Sequence, residues 1–319
     1  MSLVTGLFPK RSALLSQSVI ALALALLALA PGAHAAKLHG ILPPANPPAN
    51  IAPDPNFADC NEQGSCVNGP PCYSANGAAP QFSSPGCQSG ELAAINAARA
   101  KEGVAAMVLP SNFNSLSSDD QLLVVIDLER VGRGLAPFAG IVAKLDSVAQ
   151  KGTAPAGAPA GSFEDPSFPR GFTVAAGTAF AWRCAASACG GSGEPGASIA
   201  AGGQINPLEA DYDWMYDDGY GSANYACKTP GSRGCWGHRD NILGRYPARS
   251  AFSSPSWGAP LQRGSVRRTT LVMGAGSLEP NGDGGTQGNW TAIFAAIVGP
   301  RPAFVYTWSQ ALAAGAHGS

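Results

Sequence analysis

Histidine is close to missing from this chain, and the shortage excludes a whole class of sites. Four histidines occur in 319 residues. His34 and His39 lie near the N-terminus and His317 in the last few residues, so the body of the chain carries His238 alone. A domain with one imidazole cannot build a two- or three-histidine metal centre from its own side chains. Charge is scarce too, at 13% of residues with a net of −1. Lys and Arg are scattered apart from the short Arg263/Arg267/Arg268 group. Nucleic-acid binding needs a basic face that neutralises several phosphates. The sequence offers none, which excludes nucleic acid as a partner.

Long apolar runs are the third shortage. The longest, over residues 19–30, has barely a dozen strongly apolar positions, against the roughly 20 that a bilayer-spanning helix needs. Lys10 and Arg11 precede it, and Ala33-His34-Ala35 supplies a small-x-small cleavage pattern. Residues 1–35 therefore read as a cleavable export signal, cut near Ala35. No cysteine follows directly, which argues against a lipoprotein. The mature chain is expected to be secreted or extracytoplasmic, with no transmembrane segment.

What is abundant fits that compartment. Forty glycines and 27 prolines indicate long irregular stretches rather than an all-helical protein. Eight cysteines, an even number and all in the mature part, favour disulfides in an exported chain. Cys184 with Cys189 and Cys227 with Cys235 are close enough in sequence to bridge within themselves. The connectivity of Cys60, Cys66, Cys72 and Cys87 stays open. Their C-x5-C-x5-C spacing lacks the short knuckle of most structural zinc sites.

Composition divides the mature chain. Residues 36–87 form a Pro-rich linker, with Pro43-Pro44 and Pro47-Pro48, followed by a Cys-rich segment. Periodic structure runs over 88–300, and 301–319 reads as a final strand and a flexible tail. Helices are expected near 91–102, 117–131, 138–151 and 207–217. Ser89 is a possible N-cap and Gly103 a stop for the first, and Ser117 with early acids starts the second. In Asn206-Pro207-Leu208-Glu209, Asn caps, Pro takes the first helical position and Glu can return a bond. Strands are expected over 172–182, 269–276, 289–298 and 303–308. Helices first and strands late, with no βαβ rhythm, argue for an α+β fold packed in layers.

His238 is the first candidate for acid–base chemistry near neutral pH. It follows a helix carrying Asp211, Asp213, Asp217 and Asp218, of which Asp213 and Asp217 share a face. A carboxylate on one imidazole nitrogen fixes the tautomer and raises the basicity of the other. The bland alternative makes these acids a solvated face and His238 a cap or packing residue. A Ser-His-Asp arrangement would need a serine such as Ser198 or Ser222, and no G-x-S-x-G elbow marks one. Cys235, with Cys227 as an obvious partner, is a poor nucleophile. Trp214, Trp236 and Tyr212 surround the motif and read as core packing, or else as the lining of a ligand cleft. Arg239 and Asp240 suggest a local, exposed ion pair of little energetic weight. Asn289-Trp290-Thr291 fits the N-glycosylation pattern but falls in an expected strand.

Several of these segments occur in a familiar order. Gly237-His238-Arg239-Asp240-Asn241-Ile242-Leu243 looks like the G-H-R-x-N-I-L motif of the CAP superfamily, whose members carry the SCP domain. Ile95-Asn96-Ala97-Ala98-Arg99-Ala100-Lys101-Glu102-Gly103 is similar to its opening helix, L-N-x-x-R-x-x-x-G. Ile199-Ala200-Ala201-Gly202 with Pro207 and Trp214, then Met273-Gly274-Ala275-Gly276 and Trp290-Thr291-Ala292-Ile293-Phe294, resemble later segments. The resemblance covers about two thirds of the chain and implies an α-β-α sandwich behind an irregular N-terminal extension. Typical members have a cleft tetrad of two histidines and two acids that binds zinc in some. His238 matches the later histidine and Asp217 one acid. Lys144 stands where the earlier histidine is expected. Gly196-Ala197-Ser198 replaces G-E-N, with Glu194 a poor substitute for its acid. Zinc and other cofactors are therefore not expected.

The resulting expectation is an extracellular binding protein for a small apolar or cell-envelope ligand, with the cleft at His238 and Asp217. One rival is a weak hydrolase using His238 as base with Asp217. Another is a structural envelope or matrix protein with an inactive cleft. An enzyme should hold His238 near an acid and an exposed nucleophile, a binder should show an apolar cleft beside it, and a structural protein should bury it against Trp236.

Overall fold

The structure is a computed structural model that describes residues 45–51, 85–153, 168–169, 172–180, 197–204, 206–222, 224, 227–232, 234–244, 269–278 and 288–318. The chain divides into two compact units, 1–37 and 38–319, and all described residues belong to the second. The expected export signal, Cys60, Cys66, Cys72, Cys184, Cys189, Glu194 and the Arg263/Arg267/Arg268 group lie outside the described residues.

Local sequence sets most of the helices. Helix α1 is Pro85–Lys101. It begins six residues before the expected start and ends at Gly103, whose φ of +70° suits glycine. Helix α2, Ser118–Val131, starts where Ser117 accepts from the Asp120 amide. Helix α3 is Ala143–Thr153. After strands β1, Ala179–Phe180, and β2, Ala197–Gln204, comes helix α4, Pro207–Tyr216. Its cap is Asn206, which accepts from Leu208 and Glu209 N–H, with proline in the first turn as the sequence indicated. Helix α5 is Gly237–Leu243. Strands β3, Thr269–Leu278, and β4, Gly288–Val298, precede helix α6, Trp308–Ala313.

Strand β4 is the centre of an antiparallel sheet. It pairs along its length with β3 on one side, and on the other with β2 and, near its end, β1. Both faces of β4 are covered, which explains the nearly unbroken apolar run over 290–298. Trp290, Ala292, Phe294 and Ala296 join the core beneath α1, α2, α4 and α5. Ile293, Ala295 and Ile297 pack with Leu145, Val148 and Ala149 of α3 on the other face. Gly274 and Gly276 allow that approach: a Cβ on Gly274 would stand 2.3 Å from the Leu145 Cβ, and one on Gly276 2.6 Å from the Gln150 nitrogen. Mixed helices around an antiparallel sheet place the protein in the α+β class.

Three expected elements differ. The helix drawn over 138–151 loses its first five residues to extended backbone. Ala139 and Val142 donate to Leu271 and Met273 of β3, and Ile141 donates to Tyr306. The strand drawn over 303–308 does not form. Val305 returns one bond to Ile141, and the chain then enters α6, where Thr307 and Gln310 make a reciprocal capping box. The tail is held as well. His317 pairs with Val108, and the Gly318 carbonyl accepts from buried Arg99. Of the strand expected over 172–182, only Ala179–Phe180 is extended in the sheet among the described residues.

Candidate functional site

Helices α4 and α5 meet at a turn that carries His238. Helix α4 ends at Asp217, and Asp218 follows with its side chain 1% exposed. Asp218 turns its carboxylate onto the start of α5. One oxygen accepts from the His238 amide at 3.0 Å and the other from Nδ1 at 2.9 Å. Asn224 donates to the same carboxylate at 2.6 Å and to the Gly234 carbonyl at 2.9 Å. With Nδ1 engaged, acid–base chemistry of the ring falls to Nε2. The imidazole side chain is 29% exposed and stacks on the Trp214 indole, with ring centroids 6.1 Å apart. Trp214 is itself buried, and among the described residues its indole N–H has no acceptor.

Backbone geometry and a disulfide fix the turn. Trp236, just ahead of α5, has φ +64°, a left-handed conformation that costs a non-glycine residue free energy on the order of 1 kcal/mol. The Cys227–Cys235 disulfide closes beside it, with Cα atoms 4.3 Å apart, as the spacing suggested. Cys87 is also disulfide-bonded, with its partner outside the described residues.

The site residues named from sequence fall into place unevenly. The carboxylate on the imidazole is Asp218, one position beyond Asp217. Asp217 accepts from the Asn50 side chain instead. The four acids do not form a solvated face, because Asp211 and Asp218 are buried. Lys144 is not brought to His238. It lies on α3, across the sheet from α4 and α5, where its ammonium donates to the Thr173 carbonyl. The hydroxyl of Ser222 donates to Gly219 and accepts from the Asn224 amide, which commits it to the turn. The side chain of Ser198 lies outside the description. Asn289, Trp290 and Thr291 are buried in β4 and closed to a glycan.

Arg239 corrects the expected ion pair with Asp240. It is fully buried, reaches Glu102 and donates to the Met215 carbonyl, while Asp240 accepts from Asn46 at 2.7 Å. Behind the histidine turn, Arg239 joins a buried ionic network. Glu102 also meets Arg133 at 2.6 Å, and Arg133 pairs with Glu129. Glu129 accepts from Arg99 at 2.8 Å and from the Tyr216 hydroxyl at 2.8 Å. Burial alone would raise the Glu129 carboxyl, but Arg133 and Arg99 outweigh it and hold it below its usual range. Burial, and then the Glu129 charge, push Asp211 far up. Sequence reading missed this network. The available signal was Glu129 and Arg133, four apart where the apolar stretch of α2 gives out.

A second feature was read only as a tether. Residues 45–51 run across the turn. The Trp236 indole donates to the Pro47 carbonyl at 3.0 Å, the Gly219 amide donates to Asn50, and the Ile51 amide donates to Tyr216. The signal was the repeat Pro-Pro-Ala-Asn-Pro-Pro-Ala-Asn over 43–50.

A tetrahedral zinc site needs three or four ligands. Asp218 is spent on His238 and Asn224, and Asp217 on Asn50, so this donor set does not fit the metal bound by some CAP tetrads. Among the described residues, no group of three or more His, Cys, Asp or Glu gathers as a metal would require. No helix among them is long and apolar enough to cross a membrane. Comparison with protein-family models, curated proteins and solved structures gives no match for this chain.

Proposed function

We propose that the chain is an exported, CAP-like α-β-α sandwich domain that acts as an extracellular binding protein for a small apolar or cell-envelope ligand at the His238 turn. The observation that carries the binding role is the partly exposed imidazole, fixed by Asp218 and stacked on Trp214. It sets a polar ring on an aromatic base, a combination found in small-ligand sites. The family reading draws support from how the resembling segments converge. Arg99 of the opening-helix motif and Arg239 of the histidine motif enter the same buried network. Layers of helix on both faces of the sheet and a disulfide in the described residues fit the same reading.

The test is ligand retention. Mass spectrometry of organic extracts from the secreted protein should find an envelope lipid or similar apolar molecule at a fixed molar ratio. The His238→Ala protein should hold at least five-fold less. Equal retention by the two proteins would remove His238 from the site.

A weak hydrolase is the second reading, favoured specifically by the Asp218/His238 pair. Its mark would be a large loss of turnover in His238→Ala at unchanged melting temperature.

A further inference from the structure

The repeat over 43–50 has a physical counterpart in the fold. Each Pro-Pro-Ala-Asn unit ends in an asparagine, and each asparagine donates its carboxamide to a different aspartate of the turn. Asn46 takes Asp240 and Asn50 takes Asp217. Between them the Pro47 carbonyl accepts from Trp236, the residue with the left-handed backbone. Asn50 also accepts from Gly219 at 2.8 Å. Only glycine fits there, since a Cβ would stand 2.4 Å from the Trp236 ring and 2.9 Å from the Asn50 oxygen. Ile51 completes the contact. Its side chain packs against both Trp236 with the disulfide and the main core, and its carbonyl accepts from Lys101.

These contacts have the form of peptide recognition. The segment joins no strand or helix. Prolines restrict its backbone and lower the entropy lost on docking, while the turn supplies the groups that read it: two carboxylates, an indole N–H and a backbone N–H. Thirty-three residues separate Ile51 from Pro85. Fully extended, they span at most about 110 Å before any disulfide shortens the connection. The segment also grips the chain on both sides of the candidate site, at Asp217 beside Asp218 and at Asp240 two residues beyond His238.

We propose that Asp217, Gly219, Trp236 and Asp240 form a binding site for a proline-rich peptide with asparagines four residues apart. Residues 45–51 are its occupant in cis, exchangeable with the same segment of a second copy. The proposal goes beyond the apolar-ligand reading and does not depend on it.

A labelled peptide of residues 43–51 tests it by fluorescence anisotropy on the full mature chain. Asn46→Ala/Asn50→Ala weakens the resident segment, so this protein should bind the peptide at least ten-fold more tightly than the parent. Adding Asp217→Ala/Asp240→Ala should abolish that binding, and a peptide with both asparagines replaced by alanine should not bind. No binding to the Asn variant, or binding indifferent to the two aspartates, would overturn the proposal, provided near-ultraviolet circular dichroism shows a folded chain. Hydrogen exchange of the unmodified protein covers the case of a misfolded variant. The Ile51 amide, bonded to Tyr216, should exchange at least 100-fold faster than the slowest α2 amides. Exchange of both at one rate would make the segment a fixed part of the scaffold and contradict the proposal. A protein that takes up the peptide but retains no apolar ligand would sink the reading under Proposed function and leave this one standing.

Discussion

The two sides of helix α5 obey different electrostatics. Arg239 points into a network whose Arg99, Glu129 and Arg239 side chains are fully buried, with Glu102 at its 15% exposed edge. One residue earlier, His238 stands 29% exposed with the Asp218 carboxylate on its Nδ1. Ionic groups in the first region are costly to desolvate, and removing one partner strands the others, with losses of about 3–5 kcal/mol. In the second region the imidazole is partly exposed, and if the ring is lost Asp218 keeps the Asn224 side chain and the backbone amide of residue 238, so the bond to the ring is worth about 1 kcal/mol. The lesson is that a seven-residue motif combines scaffold and surface. A 100° rotation per residue is enough to send neighbouring side chains into different dielectric surroundings.

The sharpest way to break this contrast is to empty the dry side. Glu129→Leu leaves Arg99 and Arg133 without their shared carboxylate and Tyr216 without its acceptor. We expect a loss of about 3–5 kcal/mol in urea unfolding, and secreted yield should fall with it. A loss below about 1 kcal/mol would show that the network is solvated after all.

The turn itself comes next. Replacing Cys227 and Cys235 by serine opens a short loop and should cost about 2.5 kcal/mol on the chain-entropy account. The effect should be local. Amides of the His238 turn should exchange faster while those of α2 keep their order of protection, as hydrogen-exchange mass spectrometry would show.

A smaller effect sharpens the account of the dry side through pH. Burial pushes the Glu91 carboxyl up to about 8, against the opposing hydrogen bond from Asn206. The folded state therefore holds a proton that the unfolded state releases near pH 4.5. Stability from this group is full below that pH and is lost as pH rises toward 8, with a slope of up to about 1.4 kcal/mol per pH unit. Asp146, raised to about 7 by burial, adds a similar trend at lower pH. Urea midpoints from pH 5 to 8 should therefore fall less steeply in Glu91→Gln than in the parent. Identical slopes would contradict the assignment.

Much of the scaffold was legible because its signals are local. Ser117 and Asn206-Pro207 cap their own helices, and the apolar run of β4 declares a strand buried on both faces. Residues 139–142 and 303–308 were misread because their partners lie far away in the chain. Ile141 bridges to Met273 and Gly140 to Thr307, and no local periodicity reports that. His238 was found through its rarity. Asp218 was harder to separate from Asp217, because the choice depends on how the chain turns after α4 ends. The roles of Asn46 and Asn50 depend on docking across a sequence separation of 167 or more residues. In the sequence they show only as a repeat.

The division of labour within α5 is tested most directly by two single variants measured side by side. His238→Ala and Arg239→Met should be compared in urea unfolding and in retained apolar ligand, using the secreted protein in both cases. The account predicts that His238→Ala loses about 1 kcal/mol, one hydrogen bond to a carboxylate that keeps its other donors, while its bound ligand falls at least five-fold. Arg239→Met should lose about 3 kcal/mol, since it leaves the buried Met215 carbonyl without its donor and Glu102 with Arg133 alone of the two arginines. Equal destabilisation by both variants, or full ligand retention in His238→Ala, would contradict it.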